Sequence, residues 1–192
     1  MKLIIPSPVY KKLRAYVLAV TTEISFLGKV EKVNNNLVVL HDIYLLPQVV
    51  GSAHTVLDKE AMGRFYDDLM EKGEDPSSWK TWIHSHADMQ AFYSGTDENT
   101  IESFDLERPD DNWFLSIVVN RAGAFIPRID LFSPIRVTIT DIEWDIVFNQ
   151  DDILPAVIQD IALKVTKEHV TDWKKRLEER KKLPEYLFPP KA

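Results

Sequence analysis

Trp82-Ile83-His84-Ser85-His86, then a seven-residue spacer, then Ser94-Gly95-Thr96-Asp97 is the stretch from which the rest of the chain can be read. His84 and His86 stand two apart in a run of strand formers, so both imidazoles leave the same face of a strand and can share one ion. Asp97 opens the next helical stretch, where free backbone N–H groups and the positive end of the helix dipole favour an ionised carboxylate, as a ligand requires. Two nitrogens and one oxygen with no fourth ligand are what a catalytic zinc site needs, because the open position takes a water; a closed structural site would want another ligand. One Zn2+ per chain on His84, His86 and Asp97 is therefore expected.

Working outward, this core motif implies a strand from Lys80 to His86, a loop through Gly95 and a short helix from about Thr96 to Phe104. Upstream, Leu57-Asp58 opens an amphipathic helix to about Lys72, with Met62, Phe65, Tyr66 and Leu69 three and four apart and Gly73 as its stop. The runs 24–32 and 37–46, split by Asn34-Asn35-Asn36, predict an antiparallel hairpin, and 47–55 reads as loop. Pro6-Ser7-Pro8 ends a short first strand and starts a helix to about Thr21 that delivers Glu23 at its exit. Downstream, strands are expected near 113–120, 124–132 and 135–148, then a long helix from Pro155 to about Lys182 carrying Val157, Ile158, Ile161, Val165, Trp173 and Leu177. The fold class is α/β, a mixed sheet flanked by helices: residues 1–150 as one catalytic domain and 151–192 as a C-terminal helical extension packing on the domain or on a partner.

Composition narrows the chemistry. A chain of 192 residues, 45% hydrophobic, can bury one good core without a second domain. Its net charge of −7 would repel a phosphate backbone, so no nucleic-acid partner is expected. With no cysteine, disulfides, thiolate nucleophiles and thiolate ligands are all excluded, and a metal must be held by His, Asp or Glu. The apolar run Leu3-Ile4-Ile5 is too short for a signal peptide or membrane span, which points to a cytoplasmic protein without a membrane partner.

The pattern His-x-His, seven residues, Ser, two residues, Asp, with the upstream Thr22-Glu23-Ile24-Ser25-Phe26-Leu27-Gly28, resembles the JAMM (MPN+) family of zinc metalloproteases over residues 9 to 148. The resemblance implies the single-domain MPN (cytidine-deaminase-like) fold, a curved mixed sheet with helices. It implies zinc on His84, His86 and Asp97, Glu23 as general acid/base, and Ser94 as donor to the tetrahedral oxyanion. The implied reaction is deubiquitinase-like: hydrolysis of a peptide or isopeptide bond at the C-terminus of a ubiquitin-like or sulfur-carrier-like protein. A compact chain of this kind is more similar to bacterial and archaeal members than to the large eukaryotic subunits. Two departures stand out: Ala87 replaces the usual Pro after the second His, and the cysteine of some relatives' substrate-binding insert is absent.

Other readings compete for the same residues. Glu23 alone is a polar helix-ending residue, and Ser94 alone is an N-cap for the helix that follows. A catalytically silent MPN scaffold for protein assembly would not need the full set of Glu23, His84, His86, Ser94 and Asp97. A small-amide or nucleobase hydrolase of the deaminase kind would carry His-x-Glu and a cysteine pair, which are missing. His41, His54 and His169 lack partners at ligand spacing and read as structural or surface residues. Trp82, in register with His84 and His86, is placed to pack beneath the site, and Asp88 is a loop carboxylate that borders it. Residues 48–56 and 93–97 are the candidate walls of a cleft for an extended tail. The apolar stripe of the C-terminal helix packs on the sheet or pairs with a second copy, which leaves a homodimer open.

Overall fold

The computed structural model describes residues 1–50, 55–107, 112–147 and 154–166. Its elements are β1 (Lys2–Pro6), α1 (Ser7–Ala19), β2 (Ser25–Asn34), β3 (Leu37–Tyr44), β4 (Gln48–Val50), β5 (Thr55–Leu57), α2 (Lys59–Glu71), β6 (Thr81–Ser85), α3 (Gly95–Glu107), β7 (Trp113–Val119), β8 (Phe125–Leu131), β9 (Val137–Ile139), β10 (Glu143–Val147), α4 (Leu154–Lys164) and β11 (Val165–Thr166). Eight strands form one sheet in the order β10-β1-β3-β2-β6-β7-β8-β9. It is mixed: β1 runs parallel to β10 and β3, β6 parallel to β7, and the remaining neighbours are antiparallel. The architecture is thus an α/β domain with a mixed sheet between helices.

Pleat alternation divides the core. Phe26, Ile83 and Ile117 turn to one face and pack with Leu13 and Val17 of α1 and with Val157 and Ile161 of α4. Leu27, Trp82 and Phe114, of the opposite pleat, turn to the other, where Leu27 meets Phe65 and Leu69 of α2, and Trp82 and Phe114 meet Ile101 and Phe104 of α3. β6 is therefore buried on both faces and every one of its residues is interior. α2 starts where expected, because the Asp58 carboxylate accepts from the N–H groups of Glu60 and Ala61. It ends at Gly73, whose φ of 71° only glycine adopts freely.

Three expectations shift. Part of the expected loop 47–55 is strand: β4 and β5 pair antiparallel as a second, small sheet with β11 on the other side of β4. The single strand expected over 135–148 is two, β9 and β10, at opposite edges of the main sheet. The C-terminal helix stops at Lys164, and Val165-Thr166 turn into a strand parallel to Gln48-Val49; β-branched Val and Thr suit that better than another helical turn. Residues 167–182 of the expected helix lie outside the described residues. α4 is pinned to the domain by the buried Tyr16 hydroxyl, which donates to Asp160; burial first, and then Asp160, push that phenol far above its ordinary range.

Gly28 explains the end of the Glu23 motif. A Cβ there would lie 2.9 Å from both Leu40 Cδ1 and Thr81 Cβ, between the two strands that flank β2. Gly28→Ala should therefore cost roughly 1–3 kcal/mol of unfolding free energy, read from the urea midpoint; an unchanged midpoint would show that β3 and β6 have room to separate.

Candidate metal centre

One strand, the start of one helix and the link before β2 build the site. Strand β6 sends Trp82 and His84 to the α3 face, and the chain runs on to His86, whose N–H still pairs with Val119 of β7, so the third side chain follows in the same register. Ser94 and Asp97 form a capping box at the start of α3: the Ser94 N–H donates to Asp97 Oδ2 at 2.6 Å, and the Asp97 N–H donates back to Ser94 Oγ at 3.3 Å. That local rule turns the Asp97 carboxylate toward the histidines. Glu23 arrives from the link between α1 and β2, and is buried with them. Glu23, His84, His86, Ser94 and Asp97 line a single cavity of about 310 Å³, together with Ser25, Trp82, Thr96 and Thr100.

The three ligand candidates suit one small ion. His84 Nε2 lies 3.2 Å from His86 Nε2 and 3.0 Å from Asp97 Oδ1, and His86 Nε2 lies 3.6 Å from Asp97 Oδ2. The two Asp97 distances run to different carboxylate oxygens; with one oxygen taken from Asp97, the three ligand atoms all lie within 4.8 Å of one another, against about 3.3 Å between the ligands of a tetrahedral ion bound at about 2.05 Å. Among the described residues, this is the cluster of His and acidic groups that converges tightly enough to hold a metal. The His86 ring is set for it: Nδ1 lies 3.0 Å from the Gln90 carbonyl oxygen, which only accepts, so Nδ1 carries the proton and Nε2 presents its lone pair to the site. The His84 ring stacks on Trp82 at 4.1 Å between centroids and 17° between planes, fixing its plane by packing; its buried Nδ1 has no hydrogen-bond partner among the described residues. Phe92 stands edge-on to His86 at 5.1 Å. With Met89 it leaves apolar surface exposed at the cavity mouth.

Electrostatics favour the ligating forms. Burial pushes the His84 imidazole below its ordinary value, outweighing the opposing pull of Asp97. For Asp97 burial acts upward, yet hydrogen bonds with His84 and Ser94 hold its carboxyl down at about 2. A neutral imidazole and an ionised carboxylate are the forms a divalent cation needs.

The loop after His86 differs from what the resemblance leads one to expect. Ala87 has φ 47°, a left-handed value that a proline ring, locked near −65°, cannot take. The turn is held by its neighbours: Met89 N–H donates to His86 O, Arg121 N–H to Ala87 O, and the Asn120 amide to Met89 O. Asp88 is an exposed loop carboxylate, and Arg121 donates to both its oxygens. His41 is a surface residue beside Glu31, whereas His54 and His169 lie outside the described residues.

Two of the expected cleft walls turn out to be supports. Gln48 is buried: its Oε1 accepts from the Ser25 N–H at 2.8 Å and its Nε2 donates to Ser25 O at 2.9 Å. The side-chain amide so continues the ladder of β2 past the end of β3, two residues from Glu23. Tyr93 donates its hydroxyl to the carbonyls of Ser116 and Ile126. A lone glutamine or tyrosine in a sequence carries no sign of such a role. Arg128 and Asp130 do leave one, since like-facing charges two apart inside a strand must find partners in the interior.

No family model matches the sequence, and no curated protein does. Among solved structures the chain is similar to the solution structure of protein DSY2949 from Desulfitobacterium hafniense, at 13% identity, covering 78% of this chain and 94% of that one with a TM-score of 0.50. At that identity the likeness concerns the fold alone. Among the described residues, no helix is long and apolar enough to cross a membrane.

Two outcomes follow from this geometry. An unfolded chain takes up a proton at His84 near pH 6.5, before the folded one does. The contribution of that ring to stability is thus complete above about pH 6.5 and lost as pH falls through the lower folded value. Metal-free wild type should lose unfolding free energy below about pH 6.5 more steeply than His84→Asn in urea titrations, and equal slopes would mean the ring is not buried in its neutral form. Ala87→Pro should destabilise the fold by about 3 kcal/mol while Ala87→Gly shifts it by less than about 1 kcal/mol; a well-tolerated proline would refute the left-handed turn.

Proposed function

We propose that this chain is a zinc-dependent metalloprotease of the JAMM (MPN+) kind, on an MPN fold, that hydrolyses a peptide or isopeptide bond at the C-terminus of a ubiquitin-like or sulfur-carrier-like protein. The observation that carries this reading is the convergence of Glu23, His84, His86, Ser94 and Asp97 on one cavity, with one ligand atom from each of His84, His86 and Asp97 lying within 4.8 Å of the others. These are the residues that the sequence pattern shares with that family.

A bound zinc would supply Lewis acidity and lower the pKa of a water in its open position. The protein supplies the rest. Glu23, buried beside the ligands and not one of them, takes the proton of the attacking water and returns it to the departing amine. The Ser94 hydroxyl donates to Asp97 Oδ2 at 2.7 Å. To donate to an oxyanion it must rotate away, and the Ser94 N–H at 2.6 Å then remains to hold the carboxylate. One serine thus serves the helix cap, the ligand and the reaction in turn. Among the described residues β5 is one of the two edge strands of the small sheet and offers main-chain groups to an extended tail, while Met89 and Phe92 give apolar contact at the mouth.

Elemental analysis of the purified wild type should find about one zinc per chain, lost in His84→Ala/Asp97→Ala. Glu23→Gln should keep the metal and lower the rate of cleavage of a ubiquitin-like fusion by about 10²–10⁴-fold. A wild-type chain that takes up no zinc when zinc is added would sink the protease reading and leave the scaffold.

A further inference from the structure

Arg128 sits on β8, almost fully buried, where an apolar side chain would be the simpler choice. Its Nε and Nη2 donate to the two oxygens of Asp130 at 2.9 and 2.8 Å, and Nη1 and Nη2 donate to the two oxygens of Glu98 on α3, the second at 2.8 Å. Its guanidinium carbon also lies 4.9 Å from the centre of the Tyr93 ring. Glu98 follows Asp97 directly in the chain, and Tyr93 directly precedes Ser94. One side chain therefore touches both neighbours of the segment that carries the capping box and the third ligand.

The sheet register makes this contact informative. Arg128 pairs with Ser116 of β7, and Ser116 with Trp82 of β6, so the guanidinium stands on the same rung and face as the tryptophan that stacks on His84. The two histidines belong to the sheet, whereas Asp97 belongs to a helix packed on it. Arg128 ties one to the other. Asp130, fully buried, also accepts from the Thr138 hydroxyl at 2.8 Å, and Arg136 lies 3.8 Å from Glu98 and 3.7 Å from Asp130, so the two carboxylates that grip the guanidinium are themselves held.

A buried ion pair adds little net stability, because desolvation offsets the attraction. What it adds is direction: a planar fork that bonds two carboxylates at once has one orientation. We propose that Arg128 is a positioning residue for the metal centre, fixing the Ser94–Asp97 segment against the histidine strand through Glu98 and Tyr93. This rests on the metal reading above but not on the choice of substrate.

The test is zinc affinity, measured by competition with a chromophoric chelator, together with the visible spectrum of the cobalt(II)-substituted protein and, separately, the urea midpoint of the metal-free protein. Arg128→Lys keeps the charge and loses the fork; it should weaken zinc by about 10–100-fold and change the cobalt band, as a displaced carboxylate would. Lys29→Met, which breaks the surface pair with Glu74 on another part of the fold, should leave both unchanged. Should Arg128→Lys not fold, Glu98→Gln, which alters the exposed end of the same contact, should weaken zinc in the same direction. Zinc affinity within about twofold of wild type in a variant with a lowered urea midpoint would overturn the proposal and make Arg128 merely structural. A wild type that binds no zinc would instead overturn the metal reading, and this inference with it.

Discussion

Three polar groups that each prefer water are held within 3.6 Å of one another inside the protein, and the surrounding fold answers to that constraint. Buried imidazoles and a carboxylate stay together only if neighbouring groups fix their orientation, since desolvation alone would drive them apart. The fold meets this with a central strand that has α1 and α4 behind it and α3 in front. Strand pleat, helix cap and ring stacking then each remove one degree of freedom: His84 by Trp82, His86 by the Gln90 carbonyl, Asp97 by the Ser94 N–H.

Much of this was legible in the sequence because it follows from local rules. The period of two on β6 and the cap at Ser94 depend on residues within a few positions of one another, and so do the asparagine turn after β2 and the Asp58 cap of α2. His84, His86, Ser94 and Asp97 could be grouped from their spacing for the same reason, whereas Glu23, far upstream, was named only through the resemblance. The parts that escaped depend on pairing partners far along the chain. Nothing within 47–55 announces a strand, because β4 exists by pairing with β5 on one side and with Val165-Thr166 on the other. Likewise β9 and β10 read as one run but belong to opposite edges of the sheet, a difference settled by β1 and β8.

The backbone of the loop after His86 was also out of reach. A left-handed alanine is unfavourable by about 1 kcal/mol and has no sequence signature. It is imposed by tertiary bonds from Arg121 and Asn120 at the turn between β7 and β8. That same turn accepts hydrogen bonds from the buried Arg14 of α1 at the carbonyls of Asn120 and Arg121. The rim of the cavity is thus referred back, through two backbone carbonyls, to the helix behind the sheet.

The grip of Gln48 on Ser25 has a bearing on the order in which the protein comes into being. Glu23 is made early, and the strand that carries Gln48 acquires its outer neighbour only at Val165-Thr166, some 140 residues later. On a ribosome, the histidine strand and its helix cap emerge well before that last strand. The groups that could hold a cation thus leave the ribosome before the strand that borders the segment beside the buried glutamate.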